Sequence, residues 1–223
     1  MIVLEHQHDD PAGLVGEWLS ARGISWATVP TADPQPAPAA PAAIITLGSS
    51  HSAYAEEPRW IPRHVSLLRA ALAVGTPILG ICFGAQALAL AGGGTVAPAA
   101  RPEVGWVSPG SVHAELRGPW LAWHFDAIEL PPGARELARS DDALHAYALG
   151  RSLGLQFHPE VTPAIWRSWA TGSPEVVERY AGDPAEFAAG VEARAEQVRG
   201  RVFTLLDWWR EWLGGAAVFG MAN

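Results

Sequence analysis

Between Arg69 and Arg101 the chain carries no charged residue, and near the middle of that stretch lies Gly80-Ile81-Cys82-Phe83-Gly84-Ala85-Gln86. A charge-free run of this length belongs either in a membrane or in a protein core. Its apolarity is mostly alanine and glycine, and it is interrupted by Thr76-Pro77, Gly80, Gly84, Gln86 and Gly92-Gly93-Gly94. Breakers at those intervals suit a helix end, a buried strand, a sharp turn and a second helix better than one continuous span. The chain must therefore build a core in which a strand over 77–81 runs straight into a helix over 83–91.

The sequence before this segment alternates in the same way. Strands are expected over 2–5, 24–29 and 43–47. A helix over 11–21 sets Leu14, Trp18 and Leu19 on one face, and a second over 63–74 does so with Val65, Leu68 and Leu72. Residues 30–41 hold five prolines in twelve positions and read as a loop within a domain. Strands separated by helices of about a dozen residues argue for a parallel sheet covered on both faces. From 104 to 157 the pattern changes to short β-like runs, at 104–107, 120–124, 127–130, 144–149 and 153–157, expected as antiparallel hairpins appended to the sheet. After Pro163 the chain turns helical, with a long amphipathic stretch over 184–213 that ends in Trp208-Trp209-x-x-Trp212. No internal repeat occurs. The economical reading is one α/β domain over 1–223: a core over 1–163, a helical C-terminal segment over 164–213 and a flexible tail over 214–223.

Composition removes several kinds of function. The 223 residues carry a net charge of −8, without the basic excess of a nucleic-acid binder. All 15 basic residues are arginine. With no lysine, Schiff-base chemistry, a Walker-type phosphate loop and a kinase-type catalytic lysine are excluded. The one asparagine is Asn223, which argues against a Cys-His-Asn triad. A single cysteine, Cys82, allows no intrachain disulfide and fits a reducing cytoplasm. The first residues lack the basic flank and apolar stretch of a signal peptide. A soluble cytoplasmic protein is expected, with no metal or cofactor and with no nucleic acid or membrane as partner.

Cys82 sits where the strand meets the helix, with a glycine two places away on each side. A tight strand-to-helix turn needs small residues there because it brings backbone atoms together and lifts the side chain above the sheet edge. The helix N-terminus favours a thiolate, and the N–H of Phe83 would face an oxyanion forming on a bound substrate. The competing reading is a small buried hydrophobe, which many lone cysteines are. A second segment weighs against it. Leu155-Gln156-Phe157-His158-Pro159-Glu160 ends a strand with a histidine, and Glu160 lies two places on, close enough to orient an imidazole. Nucleophile, base and carboxylate then form a complete set in the order Cys82, His158, Glu160. Taken singly, His158 reads equally as a structural strand-end histidine.

These two segments, with Glu103-Val104-Gly105-Trp106 and Trp123-His124-Phe125-Asp126 between them, resemble the class I glutamine amidotransferases, in particular a stand-alone branch similar to the amidotransferase domain of GMP synthase. The resemblance covers about residues 2–163. It implies a flavodoxin-like three-layer sandwich with a mostly parallel central sheet. It implies that Cys82 attacks the side-chain amide of glutamine, that His158 moves the proton and Glu160 holds His158, and that a glutamyl thioester forms and is hydrolysed to glutamate. It also implies an oxyanion hole from Phe83 and Ser49, and substrate contacts from Gly48, Gln86, His124 and Phe125. The sequence contains no ATP-binding or acceptor domain, so ammonia is expected to pass to a separate synthetase partner. A γ-glutamyl amide or peptide hydrolase with the same triad is the alternative, and a degenerate relative that binds a metabolite or protein is a third reading.

Two positions depart from the family pattern. Gly-Gly-Pro after the third strand is replaced by Gly48-Ser49-Ser50, where a serine is strained if the turn requires positive φ. Phe125 replaces a glycine and is expected to narrow the mouth beside the amino-acid end of the substrate. His6-x-His8-Asp9-Asp10 has a metal-like composition but reads as a solvated loop. Trp166, Trp169, Trp208, Trp209 and Trp212 read as core packing at helical spacing, in preference to a partner-binding patch.

Overall fold

The computed structural model describes residues 1–31 and 41–214, so most of the proline-rich loop and nearly all of the tail lie outside the described residues. The first half runs β1 (Ile2–Glu5), α1 (Gly13–Ala21), β2 (Ala27–Pro30), β3 (Ile44–Thr46), α2 (Trp60–Ala73), β4 (Ile78–Ile81) and α3 (Phe83–Ala91). The second half continues with β5 (Thr95–Val107), β6 (Gly110–Ser111), β7 (Trp120–Glu129), β8 (Arg135–Arg139), β9 (Leu144–Leu149), β10 (Ser152–Leu155), α4 (Pro163–Gly172), α5 (Pro174–Tyr180) and α6 (Pro184–Trp212).

The main sheet has eight strands in the order β2-β1-β3-β4-β10-β9-β8-β6. The strands from β2 to β10 pair in parallel, and β9, β8 and β6 extend the sheet antiparallel. Alternation along the parallel strands explains the two faces. Val3, Ile45, Leu79 and Leu153 face α1 and α6, where they meet Trp18, Leu205 and Trp209. Ile2, Leu4, Ile44 and Ile78 face the opposite way, against Ile61, Val65 and Leu68 of α2 and the apolar side of α3. The result is an α/β fold with a mostly parallel central sheet between helical layers. No helix among the described residues is long and apolar enough to cross a membrane.

The appended β structure differs from the expected hairpins in one respect. Strands β8 and β9 with β6 do extend the main sheet, whereas β5 and β7 form a separate two-stranded antiparallel ribbon. Within it the runs 120–124 and 127–130 are one strand, and 104–107 is the end of a longer one. Strand β5 tolerates Pro98 and Pro102 because it has an unpaired edge. A third cluster, built on Leu121, Val161, Ile165, Trp166, Val177 and Val191, fastens the ribbon to α4, α5 and the first half of α6.

The second half of α6 is held on α1 by a charged clasp. Asp207 accepts hydrogen bonds from Trp18 Nε1 at 3.0 Å and from Arg22 Nε and Nη2 at 2.8 and 2.5 Å. Beside it Leu205 is fully buried. Leu205→Ala should lower the unfolding free energy by about 2–5 kcal/mol, the range for a leucine truncated in a packed core. Urea unfolding checks this: the midpoint should fall while the slope stays unchanged. A midpoint equal to wild type would mean that α6 does not share the main core.

Candidate active site

The turn from β4 into α3 is shaped by two close backbone approaches. Gly80 lies in register between Thr46 of β3 and Gly154 of β10. A Cβ on Gly80 would stand 2.5 Å from the Gly84 carbonyl oxygen, and one on Gly84 would stand 2.2 Å from that of Thr46. Only glycine fits either position. Between them Cys82 takes φ 49° and ψ −107°, and among the described residues it is the one non-glycine residue with positive φ. Such a conformation costs on the order of 1–3 kcal/mol and persists only when its surroundings over-determine it. Three backbone bonds do so: Cys82 N–H donates to Leu155 at 2.7 Å, Gly84 N–H to Leu47 at 3.1 Å, and Gln86 N–H to the Cys82 carbonyl at 3.0 Å. From below, Tyr147 Oη donates to Ala85 O at 2.6 Å, its ring packed over Gly154.

His158 follows the end of β10 and is held by its own N–H, which donates to Leu121 O of the ribbon at 2.8 Å. Its Nδ1 donates to Glu160 Oε1 at 2.5 Å, and both residues are buried. Burial works to push the His158 pKa down, but the charge of Glu160 and then the interaction with Cys82 outweigh it and leave it well above the ordinary imidazole value. Nε2 has no partner of hydrogen-bonding geometry, so its interaction with the sulfur is looser than a formed hydrogen bond. The Cys82 thiol itself lies 3.7 Å from Trp123 O. Trp169 of α4 stands edge-on over the imidazole at 4.8 Å and donates from Nε1 to Asp9 O at 2.8 Å.

Above these groups opens a cavity of about 220 Å³ lined by Cys82, His158, Ser49, Ser50, Gln7, Asp9, Asp10, Trp123, Trp169, Gly172 and Ser173. Of the residues singled out in the sequence, the cavity brings together Cys82, His158 and Ser49, with Glu160 and Phe83 directly behind. Ser49 is not strained, because its φ is not positive. Gly48, Gln86, His124 and Phe125 are not on the cavity wall. Gln86 is buried and donates to Gln156 Oε1 at 3.3 Å. Phe125 does not narrow the mouth: it is 41% exposed and packs edge-on against Tyr180 at 5.9 Å.

The segment 6–10 is solvated only in part: His8 and Asp9 are exposed, as the loop reading expects, whereas His6 and Asp10 are buried. Asp10 is 1% exposed, and Gln7 and Asp9 line the cavity. His6 is buried, stacked on Trp60 at 5.0 Å, with Nδ1 on Thr31 Oγ1 and Nε2 on Thr46 Oγ1, which also meets His64. Burial holds His64 down at about 3 and His6 well below its ordinary value, so a neutral polar cage sits beneath Phe83. Among the tryptophans, Trp166 and Trp209 are core, Trp169 is a cavity wall, and Trp208 and Trp212 stack on each other at the surface.

A second polar cluster ties the ribbon to the main sheet. Glu103 of β5 receives His124 Nε2 of β7 and Ser140 Oγ at 2.9 Å each, and His145 Nε2 of β9 lies 2.9 Å from it. Burial works to raise the Glu103 pKa, but the two histidines outweigh it and hold it far below the usual carboxylate range. Because the folded-state value is depressed, the stability Glu103 supplies is complete above the ordinary carboxylate pKa and is lost as pH falls below it. Glu103→Gln should therefore flatten the decline of the melting temperature between about pH 5 and pH 3. Melting curves across that range test the link, and parallel profiles for the two proteins would break it.

The family model for glutamine amidotransferase class-I matches residues 17–168. The chain belongs to that family. Over 131 residues, 54% of this chain and 24% of the relative, it is 42% identical to the GMP synthase [glutamine-hydrolyzing] of Thermomicrobium roseum. The corresponding Thermus thermophilus protein is 38% identical over 132 residues, again 54% of this chain and 25% of the relative. The match thus spans about a quarter of the length of these relatives. Among solved structures, a glutamine amidotransferase from Methylobacillus flagellatus superposes with a TM-score of 0.84 at 27% identity, over 96% of this chain and 94% of that one. One from Thermotoga maritima shares the fold at TM-score 0.84 and 23% identity, over 94% and 97% of the two chains.

Proposed function

We propose that this chain hydrolyses the side-chain amide of glutamine through a cysteine thioester, with Cys82 as nucleophile, His158 as proton carrier and Glu160 as the group that orients it. The observation that carries the reading is the convergence of the strained Cys82 with the buried His158–Glu160 pair at the floor of one cavity, in a chain of this family. Cys82 Sγ attacks the amide carbon as a thiolate, its proton already held on His158 Nε2. The same proton passes to the departing nitrogen, ammonia leaves, and a glutamyl thioester remains. His158 then takes a proton from water as the water oxygen attacks the thioester, and returns it to sulfur as glutamate departs.

The oxyanion of each tetrahedral intermediate is assigned to the backbone N–H of Phe83 and of Ser49. The Phe83 N–H is the first of α3 and has no intrahelical acceptor. Gly48, Gln86 and His124 act from behind the wall, through their contacts with Asp10, Gln156 and Glu103. No arginine lines the cavity among the described residues, while Asp9 does, so the lining suits the α-ammonium end of an amino acid. The ammonia is assigned to a synthetase partner, a reading supported by the similarity to glutamine-hydrolysing GMP synthases. Residues 1–163 carry the reacting groups in this reading, with Trp169, Gly172 and Ser173 closing the cavity from the helical segment, and the compartment is a reducing cytoplasm.

Ammonia release from glutamine and from several γ-glutamyl amides tests the proposal. Cys82→Ala should abolish release. Glu160→Gln should lower kcat on the order of tenfold or more, about 1.4 kcal/mol per decade, and should lower the His158 pKa because the larger of the two influences raising it is lost. Wild-type turnover by Cys82→Ala would overturn the mechanism. Release from γ-glutamyl amides but not from glutamine would overturn the substrate and leave the triad standing.

A further inference from the structure

Two buried carboxyl oxygens beside the site lack a partner. Glu160 gives Oε1 to His158, but its Oε2 is buried with no hydrogen bond, and so is Oδ1 of Asp10. Asp10 reaches this place from the loop between β1 and α1. A polar atom from each of Asp10, His158 and Glu160 lies within 4.8 Å of the others, and all three side chains are buried. The other oxygen of Asp10 packs against Gly48, where an added Cβ would stand 2.3 Å from it. Asp10 is thus wedged between the loop that carries Ser49 and the loop that carries the His158–Glu160 pair.

Building on the triad reading above, we propose that Asp10 is a positioning residue of the same site, a neutral acid whose carboxyl O–H donates to the free oxygen of Glu160. Two carboxyl groups this close and this deeply buried do not both stay ionised. Burial, and then the charge of Glu160, push the Asp10 carboxyl well up, against a weaker opposing pull from His158; Asp9 on the same loop adds to the rise. Those three groups are the charged neighbours that face it, with Cys82 beyond His158. One proton between the two carboxyls satisfies both orphaned oxygens at once. It also fixes the rotation of Glu160 and spreads its charge, so that Glu160 holds the imidazolium without taking its proton.

The test follows the pH titration of His158 by NMR of its Nδ1 proton in the substrate-free protein, a readout that needs no turnover and so stands apart from any failure of the glutaminase reading. Asp10→Asn retains the shape and a donor N–H but can carry no charge. If Asp10 is neutral, this variant should leave the His158 midpoint within a small fraction of a pH unit of wild type. Asp10→Ala removes the donor, concentrates charge on Glu160, and should raise the midpoint. Its kcat should fall roughly tenfold, the effect of about one lost hydrogen bond to a charged group, with little change in KM and a smaller loss in Asp10→Asn. A midpoint lowered by about a unit or more in Asp10→Asn would show that Asp10 is ionised and would overturn the proposal. So would an Asp10→Ala protein with wild-type kcat and midpoint. Should Asp10→Ala fail to fold in a thermal melt, the Asp10→Asn midpoint decides alone.

Discussion

The first turn of α3 sits so close to the sheet that there is no room for a side chain at Gly80 or Gly84, and the rest of the site depends on that approach. With the helix pressed onto β3 and β4, Cys82 has no relaxed conformation available and is held at positive φ. The strain is met by bonds from three directions: β10 through Leu155, the end of β3 through Leu47, and the helix itself through Gln86. The strand that receives the Cys82 N–H is the one that leads to His158. The Cys82 thiol and the His158 imidazole therefore share a frame only one strand wide, which is why their relation is set by the sheet more than by the loops around it.

Burial then decides the charge states. His158 is enclosed by Trp169, Cys82 and Glu160, and it keeps a raised affinity for protons because a carboxylate is buried with it. His6 and His64, equally buried but surrounded by hydroxyls and rings, are pushed the other way and stay neutral. The same residue type is charged or neutral according to whether an acid accompanies it. Glu103 repeats the pairing at the join between ribbon and sheet, and through His124 it steadies the strand that presents the Trp123 carbonyl to sulfur.

Much of this was legible in the sequence where a local pattern carries the information. Strands Ile2–Glu5 and Leu144–Leu149 and the helix Phe83–Ala91 end where apolar runs and glycines predict. Periodicity failed where stability comes from distant partners. Asp126 looks like a break between two strands, yet it lies within β7, where it accepts hydrogen bonds from the hydroxyls of Ser52 and Tyr54. The strand Arg135–Arg139 shows only Leu137 and Ala138 buried, too few to stand out from a loop. Asp10 has the composition of a solvated turn, and its burial exists only because the loops after β3 and β10 close over it. Trp169 keeps helical spacing and reads as core, but α4 brings it to the cavity. Cys82, His158 and Glu160 could be picked out from their motifs; Gln7, Asp10 and Trp169, which enclose them, could not.

The proposed hydrolysis turns on covalent acylation of the strained Cys82 and of no other residue. Rapid acid quench of the protein during turnover of glutamine, followed by peptide mass spectrometry, addresses it most directly. Hydrolysis through Cys82 should give a hydroxylamine-sensitive glutamyl adduct confined to the peptide that contains Cys82, appearing before steady state and disappearing once glutamine is exhausted. Ammonia released at the full rate with no adduct on that peptide, or an adduct on another residue, would contradict it.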